Sequence, residues 1–205
     1  MIKQETKYII FDLGGVLVNL DRDRCVKNFK ELGFANIEEM ISSYHQDGIF
    51  LQLEQGLITA EEFRQKVRHE ITRPATDEQI DAAWNSLLAD TPTYRLDLLL
   101  ELRKKYTLYL LSNTNEIHWQ WCLENVFAYK GHTIDNFFEA TFLSFRLHKT
   151  KPSPGIFQAV INESTLIPEE TFFIDDSTAN CETAEILGIT TYTPAPGENW
   201  SHLFK

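Results

Sequence analysis

Four short stretches of the chain carry residues that could do chemistry together. Asp12 closes an apolar run and precedes Leu13 and the pair Gly14-Gly15. Such a pair lets the backbone turn sharply and aim a carbonyl or an amide at a ligand, although a plain turn uses the same residues. Ser112-Asn113 offers a hydroxyl and amides at the end of a second apolar run, a place where a helix N-cap is the commoner use. Asp175 and Asp176 follow a third run; either they cap a helix, or two adjacent carboxylates there require a cation to offset their repulsion. Lys151 lies in KTKPSPGIF, just before a Pro-started helix. It can give a point charge to a phosphoryl group and to a carboxylate without demanding one fixed angle. Lys149 competes for that role, and an exposed loop lysine is the simpler reading of either.

For these stretches to meet, the ends of several strands must lie side by side. Tyr8 to Phe11, Leu108 to Leu111 and Phe172 to Ile174 are short, uniformly apolar and end abruptly in polar residues, which fits strands buried on both faces of a parallel sheet. Ala140 to Leu143 and Ile189 to Tyr192 are weaker strand candidates. Helical patterns fall between the later strands: Thr93 to Lys105, a segment marked by Ile156, Phe157, Val160 and Ile161, and Thr178 to Leu187 stopped by Gly188. The alternation predicts an α/β fold with a doubly wound, mostly parallel sheet, a Rossmann-like core in which ligands sit beyond the carboxyl ends of the strands.

From Leu20 to Asp90 the periodicity is helical throughout. Cys25, Val26, Phe29 and Leu32 form an apolar face closed by Gly33, and Thr59 with Glu62 and Thr76 with Gln79 spell capping boxes ahead of further apolar repeats. The expected organisation is a core of residues 1–18 and 92–205 with a helical cap, residues 19–91, inserted after the first strand.

Composition narrows the function classes. The chain has 205 residues, 43% hydrophobic and 24% charged, as a soluble globular protein does. A formal net charge of -11 leaves no basic field for nucleic acid or anionic lipid, so neither is expected as a partner. Cys25, Cys122 and Cys181 are scattered and odd in number, against a disulfide framework or a thiolate metal site. No apolar run reaches the roughly 18 residues of a membrane span, and a cytoplasmic location is expected.

The order FDLGGVLV, LLSNT, KPSPGIF, FIDDS resembles the four motifs of the haloacid dehalogenase superfamily, in particular its phosphatase-like branch with a helical cap after motif one. The resemblance implies Mg2+-dependent hydrolysis of a small phosphorylated metabolite through an aspartyl-phosphate. Asp12 would be the nucleophile, with Mg2+ held by Asp12, the Gly14 carbonyl and Asp176, and by Asp175 through water. Ser112 and Lys151 would bind phosphoryl oxygens, and Asn113 would add a backbone amide. An anionic nucleophile approaching an anionic phosphate needs such positive charge.

Two departures stand out. The family usually has a second Asp two residues after the nucleophile, an acid-base group worth about 10²- to 10⁴-fold, where this chain has Gly14. The turn before the lysine often holds glycine where this chain has His148. Gly14 fits a phosphatase of activated esters such as a sugar 1-phosphate or an acyl phosphate. It also fits a 2-haloacid dehalogenase, which the paired Asp175-Asp176 argues against, or a non-catalytic phosphate-binding scaffold. Asp21 could serve as a substitute acid, although a helix N-cap is its simpler role. Arg24, with Arg22, could reach a phosphate or sugar, although surface ion pairing is the commoner fate.

The remaining residues read as structural. His45, His69, His118, His132, His148 and His202 form no metal-binding cluster, and among them only His148 is expected near the site. Trp119, Trp121, Phe127 and Tyr129 should pack inside, and Trp200, Leu203 and Phe204 should staple the tail to the core. Acidic residues across the cap read as a solvated face.

Overall fold

The computed structural model describes residues 2–42 and 46–204. These residues form five parallel strands, β1 (Tyr8–Phe11), β2 (Thr107–Ser112), β3 (Ala140–Leu143), β4 (Thr171–Ile174) and β5 (Thr190–Tyr192), in the order β3-β2-β1-β4-β5. Side chains alternate across the pleat, and both faces are covered. Ile9, Phe11, Leu108, Leu110, Phe172 and Ile174 belong to one apolar cluster, whereas Ile10, Tyr109, Leu111 and Phe173 belong to another. This two-sided burial is why the strands are continuous apolar runs rather than alternating ones.

The helices are α1 (Arg22–Glu31), α2 (Ile37–Met40), α3 (Gly48–Glu54), α4 (Ala60–Glu70), α5 (Asp77–Asn85), α6 (Thr93–Leu102), α7 (Glu116–Asn125), α8 (Ile134–Phe137), α9 (Ser144–Leu147), α10 (Pro154–Glu163) and α11 (Thr178–Ile186). Sequence periodicity finds α1, α4, α5, α6, α10 and α11; it does not mark out α7, and it misses α2, α3, α8 and α9, which have 4 to 7 residues and so never complete an amphipathic repeat. Strand β5 begins one residue later than expected. Gly188 turns left-handed (φ +88°), and the Ile189 N–H closes back on the Ala184 carbonyl at 3.1 Å, so Ile189 belongs to the helix stop rather than the ladder.

Helices α1, α4 and α5 enclose an aromatic cluster in which Phe50 lies 4.8 Å from Trp84 and 5.4 Å from Phe29, ring centre to ring centre. Both expected capping boxes form, at Thr59/Glu62 and Thr76/Gln79. The chain enters and leaves this layer through two crossing segments that bond to each other: Asn19 N–H to Asp90 O at 3.0 Å, Ala89 N–H to Asn19 O at 2.7 Å, and Asp21 N–H to Leu87 O at 2.8 Å. Arg95, 1% exposed, secures the crossing from below by donating to Leu17 O at 3.1 Å and Asn19 Oδ1 at 2.9 Å. Among the described residues, no helix is long and apolar enough to cross a membrane. Cys25, Cys122 and Cys181 are all buried with free thiols.

Trp119 and Phe127 are buried, while Trp121 and Tyr129 are half-buried against the same cluster. The tail is stapled by Trp200, which packs 5.4 Å from the Phe11 ring and donates its Nε1–H to Val16 O at 3.1 Å. Trp200→Ala should lower stability by about 3–5 kcal/mol, read from urea unfolding.

His118 joins α7 to the helical layer. Its Nε2–H donates to Trp84 O at 3.1 Å, its Nδ1 accepts from Asn115 Nδ2 at 3.1 Å, and its ring stacks on Trp84 at 4.2 Å. Burial lowers its pKa from 6.5 to about 4. The folded state therefore binds fewer protons than the unfolded chain between those values, and stability rises with pH there. The contribution is complete above the unfolded pKa and is lost as pH falls toward 4, on the order of 3 kcal/mol in all. His118→Gln should flatten the loss of urea stability between pH 7 and pH 5; an unchanged slope would contradict this.

Candidate active site

β1 lies between β2 and β4, so the polar residues that end these strands meet where the strand order reverses. One cleft is lined by Asp12, Gly14, Ser112, Asn113, Lys151 and Asp176. Lys151, 4% exposed, extends its Nζ to Asp12 Oδ1 (2.8 Å), Asp175 Oδ2 (2.6 Å) and Leu111 O (3.0 Å). The Asn113 side chain fixes the backbone beneath it, accepting from Lys151 N–H at 2.8 Å and donating to Lys151 O at 2.9 Å. Asp175 is held from its other side by the Ser177 N–H at 2.8 Å and Asn180 Nδ2 at 2.9 Å. Asp12 Oδ1 also accepts from Leu13 N–H at 2.7 Å.

Asp12, Asp175 and Asp176 each offer a carboxylate oxygen within 4.8 Å of the others. Three carboxylates thus face one buried ammonium. Burial raises the Asp12 pKa well above the carboxylate range, opposed by Lys151 and reinforced by Asp175 and Asp176. Burial first and Asp175 second push Asp176 up to about 6. Burial works against the Lys151 charge, but Asp12 and Asp175 outweigh it and hold the ammonium firmly protonated. An all-oxygen set under this mutual repulsion suits a hard divalent cation, which would neutralise it. Gly15 makes the arrangement fit: its φ is +73°, and a Cβ there would fall 2.0 Å from Asp176 Oδ2. Gly14 has open backbone space limited only by Leu20, whose Cδ1 would lie 3.3 Å from an added Cβ.

Two expected site residues sit elsewhere. Asp21 caps α1 by accepting from Arg24 N–H at 3.0 Å, since a helix N-terminus leaves its N–H groups unpaired. Arg24 spends its guanidinium on Ser86 O and Leu88 O, both at 2.8 Å, and neither residue lines the cleft. Arg22 is likewise taken up, donating to Ile41 O at 2.6 Å and Glu38 O at 2.9 Å. Lys149 is exposed, with its ammonium 3.4 Å from Leu147 O. His148 adopts a left-handed backbone (φ 53°), the reason glycine suits that position. Its ring leaves the cleft to meet Gln55 O at 3.0 Å. The histidine that does line the cleft is His118; His45 lies outside the described residues.

Sequence reasoning missed a wall of the cleft supplied by the helical layer: Leu20, Gln46, Glu54, Leu87 and Leu88. Glu54, 8% exposed, overturns the expectation that acidic residues of this layer are uniformly solvated. The available signal was its spacing: Phe50, Leu53 and Glu54 share the buried face of α3 at i, i+3, i+4, so a carboxyl occupies an apolar-face position.

A family model described as haloacid dehalogenase-like hydrolase matches residues 6–188. A D-ribitol-5-phosphate phosphatase from Bacteroides thetaiotaomicron is 39% identical over 194 residues, 95% of this chain and 94% of its own length. A haloacid dehalogenase family enzyme of the same organism, solved with magnesium and inorganic phosphate, is 56% identical with a TM-score of 0.92, covering 98% of this chain and 100% of that one. A predicted haloacid dehalogenase-like hydrolase from Porphyromonas gingivalis is 40% identical with a TM-score of 0.90, covering 98% and 96%. With the four motifs gathered at one switch point and the match running through nearly the whole chain, this protein belongs to the haloacid dehalogenase-like hydrolases.

Proposed function

We propose that the chain is a Mg2+-dependent phosphatase that hydrolyses the phosphate monoester of a small polyol or sugar. The observation that carries this reading is the group of three carboxylates within 4.8 Å of one another beside the buried Lys151 ammonium. Asp12 attacks phosphorus in line, forming an Asp12–phosphorus bond as the ester P–O bond breaks, and water then cleaves the aspartyl-phosphate. Lys151 and Ser112 bind the phosphoryl oxygens, with the Asn113 amide beside them. Asp12, the Gly14 carbonyl and Asp176 would hold Mg2+, with Asp175 reaching it through water; the bound ion would supply the charge that lets the two anions approach.

Residues 19–91 act as the cap that excludes water and selects the leaving group. Gln46 Oε1, buried and without a hydrogen-bond partner among the described residues, lines that wall; a substrate hydroxyl would satisfy it. This supports a hydroxylated leaving group, as does the name of the D-ribitol-5-phosphate phosphatase relative. A pentitol 5-phosphate is a primary alkyl ester, a class that gains more from acid assistance than the sugar 1-phosphate or acyl phosphate that Gly14 suggests. The buried free thiols support a reducing, cytoplasmic setting.

Phosphate release from ribitol 5-phosphate, a sugar 1-phosphate and an acyl phosphate, with Mg2+ or EDTA, tests the proposal. Turnover should need Mg2+ and fall on the order of 10⁴-fold or more in Asp12→Asn. Preference for the activated esters would return the substrate to those classes. EDTA-resistant halide release from a 2-haloacid would mark a dehalogenase, and phosphate binding without turnover a scaffold.

A further inference from the structure

The missing acid at position 14 leaves a chemical gap that only certain groups in the cleft can fill. The titratable side chains lining it are Asp12, Glu54, His118, Lys151 and Asp176. Asp12 and Asp176 belong to the acidic cluster, and Lys151 is bound to Asp12 and Asp175. Both ring nitrogens of His118 are engaged, by Trp84 O and Asn115. Outside that acidic cluster, Glu54 is the one carboxyl lining the cleft, and it is buried with no hydrogen bond or ion pair among the described residues.

Its placement is fixed rather than incidental. The Ser144 hydroxyl, itself fully buried, lies 2.7 Å from Glu54 O and 2.9 Å from both the Thr114 N–H and the Thr114 carbonyl, so one hydroxyl joins the end of α3 to the loop after β2. His148 Nδ1 meets the next carbonyl, Gln55 O, at 3.0 Å. Gly56 completes the contact with φ +65°, seated so close that a Cβ would fall 2.0 Å from Phe145 O. Three consecutive residues of the cap are thereby locked onto the core, and they aim the preceding helix face at the cleft. Beside Gly14, Leu20 fills the space where the family's acid would project.

We propose that Glu54, reaching in from the cap, is the general acid and base of this enzyme, taking the part left vacant at Gly14. The assignment rests on the phosphatase reading above. As Asp12 bonds to phosphorus and the ester P–O bond breaks, the Glu54 proton passes to the departing oxygen, releasing a neutral alcohol. Glu54, now a carboxylate, takes a proton from the water that attacks the aspartyl-phosphate; the Asp12–phosphorus bond breaks, phosphate leaves, and Glu54 is again protonated. Burial suits it to start the cycle in the protonated form, raising its pKa to about 8 against the opposing pull of Lys151.

The full-length Glu54→Gln protein, assayed with Mg2+ on ribitol 5-phosphate and on p-nitrophenyl phosphate, tests the assignment. The alkyl ester needs the proton in the first step, so its kcat/KM should fall about 10²- to 10⁴-fold. The aryl ester departs unaided, so its kcat/KM should change little, which also shows that the variant folds. Loss of the base should then stall the second step, giving a burst of nitrophenolate near one per enzyme and a trapped phosphoenzyme. Glu54→Asp should restore part of the alkyl activity. Equal losses on both esters, or none on either, would overturn the assignment while leaving the phosphatase reading intact. A loss on the alkyl ester without a burst on the aryl ester would also overturn it, reducing Glu54 to a contact for substrate hydroxyls. If the wild-type protein turns over neither ester, both readings fail.

Discussion

Three carboxylates held around one buried ammonium are the constraint on which the rest of this structure depends. Removing Asp12 and Asp175 from water is costly unless their charges are met, and Lys151 meets both from a single Nζ. One positive charge against three negative ones remains an unfinished balance; burial first, and the neighbouring carboxylates after it, raise the pKa values of Asp12 and Asp176. The fold supplies what is needed to hold such a group: parallel strands ending level, a lysine clamped through its own backbone by Asn113, and Asp175 secured by Asn180 and Ser177. Charge that is positioned before the reaction does not have to reorganise during it, which is where phosphoryl transfer draws most of its acceleration.

The two glycines after Asp12 and Leu13 divide the labour. Gly15 is there because Asp176 comes too close for any side chain and because its backbone is left-handed. Gly14 faces neither restriction, since its backbone is ordinary and its neighbour is only the flexible end of Leu20. An aspartate at 14 is thus excluded by a side chain that can move, not by the fold. The absence of the acid is a local choice of residue type, and it turns attention to what the opposite wall of the cleft contributes.

Legibility from sequence followed the reach of each signal. Strands β1, β2 and β4 announce themselves as unbroken apolar runs because both sheet faces are covered, and the motif residues are legible because they terminate those runs. Lys151 could be set apart from Lys149 only by tertiary contact: one is buried among carboxylates, and the other stands two residues away in solvent. Asp21 and Arg24 misled because their types suit a ligand and a cap equally, and the nearest unpaired backbone groups claimed them first. Glu54 was hidden for the opposite reason. Its helix is too short to show a full repeat, and its burial depends on Ser144 and His148, which lie far along the chain.

This difference in reach also separates the two sides of the cleft. The core side of the cleft is fixed by strand register, which cannot slip by one residue without turning every side chain to the wrong face. The side formed by the helical layer is fixed by two short crossing segments and by the polar ties at residues 54–56. A few hydrogen bonds of about 1 kcal/mol each hold that wall against the sheet side of the cleft. Ser144 stands at the joint, since its one hydroxyl contacts both the loop that follows Ser112-Asn113 and the carbonyl of Glu54. The sheet side of the cleft and the helical wall that carries Glu54 are therefore joined through a single buried side chain.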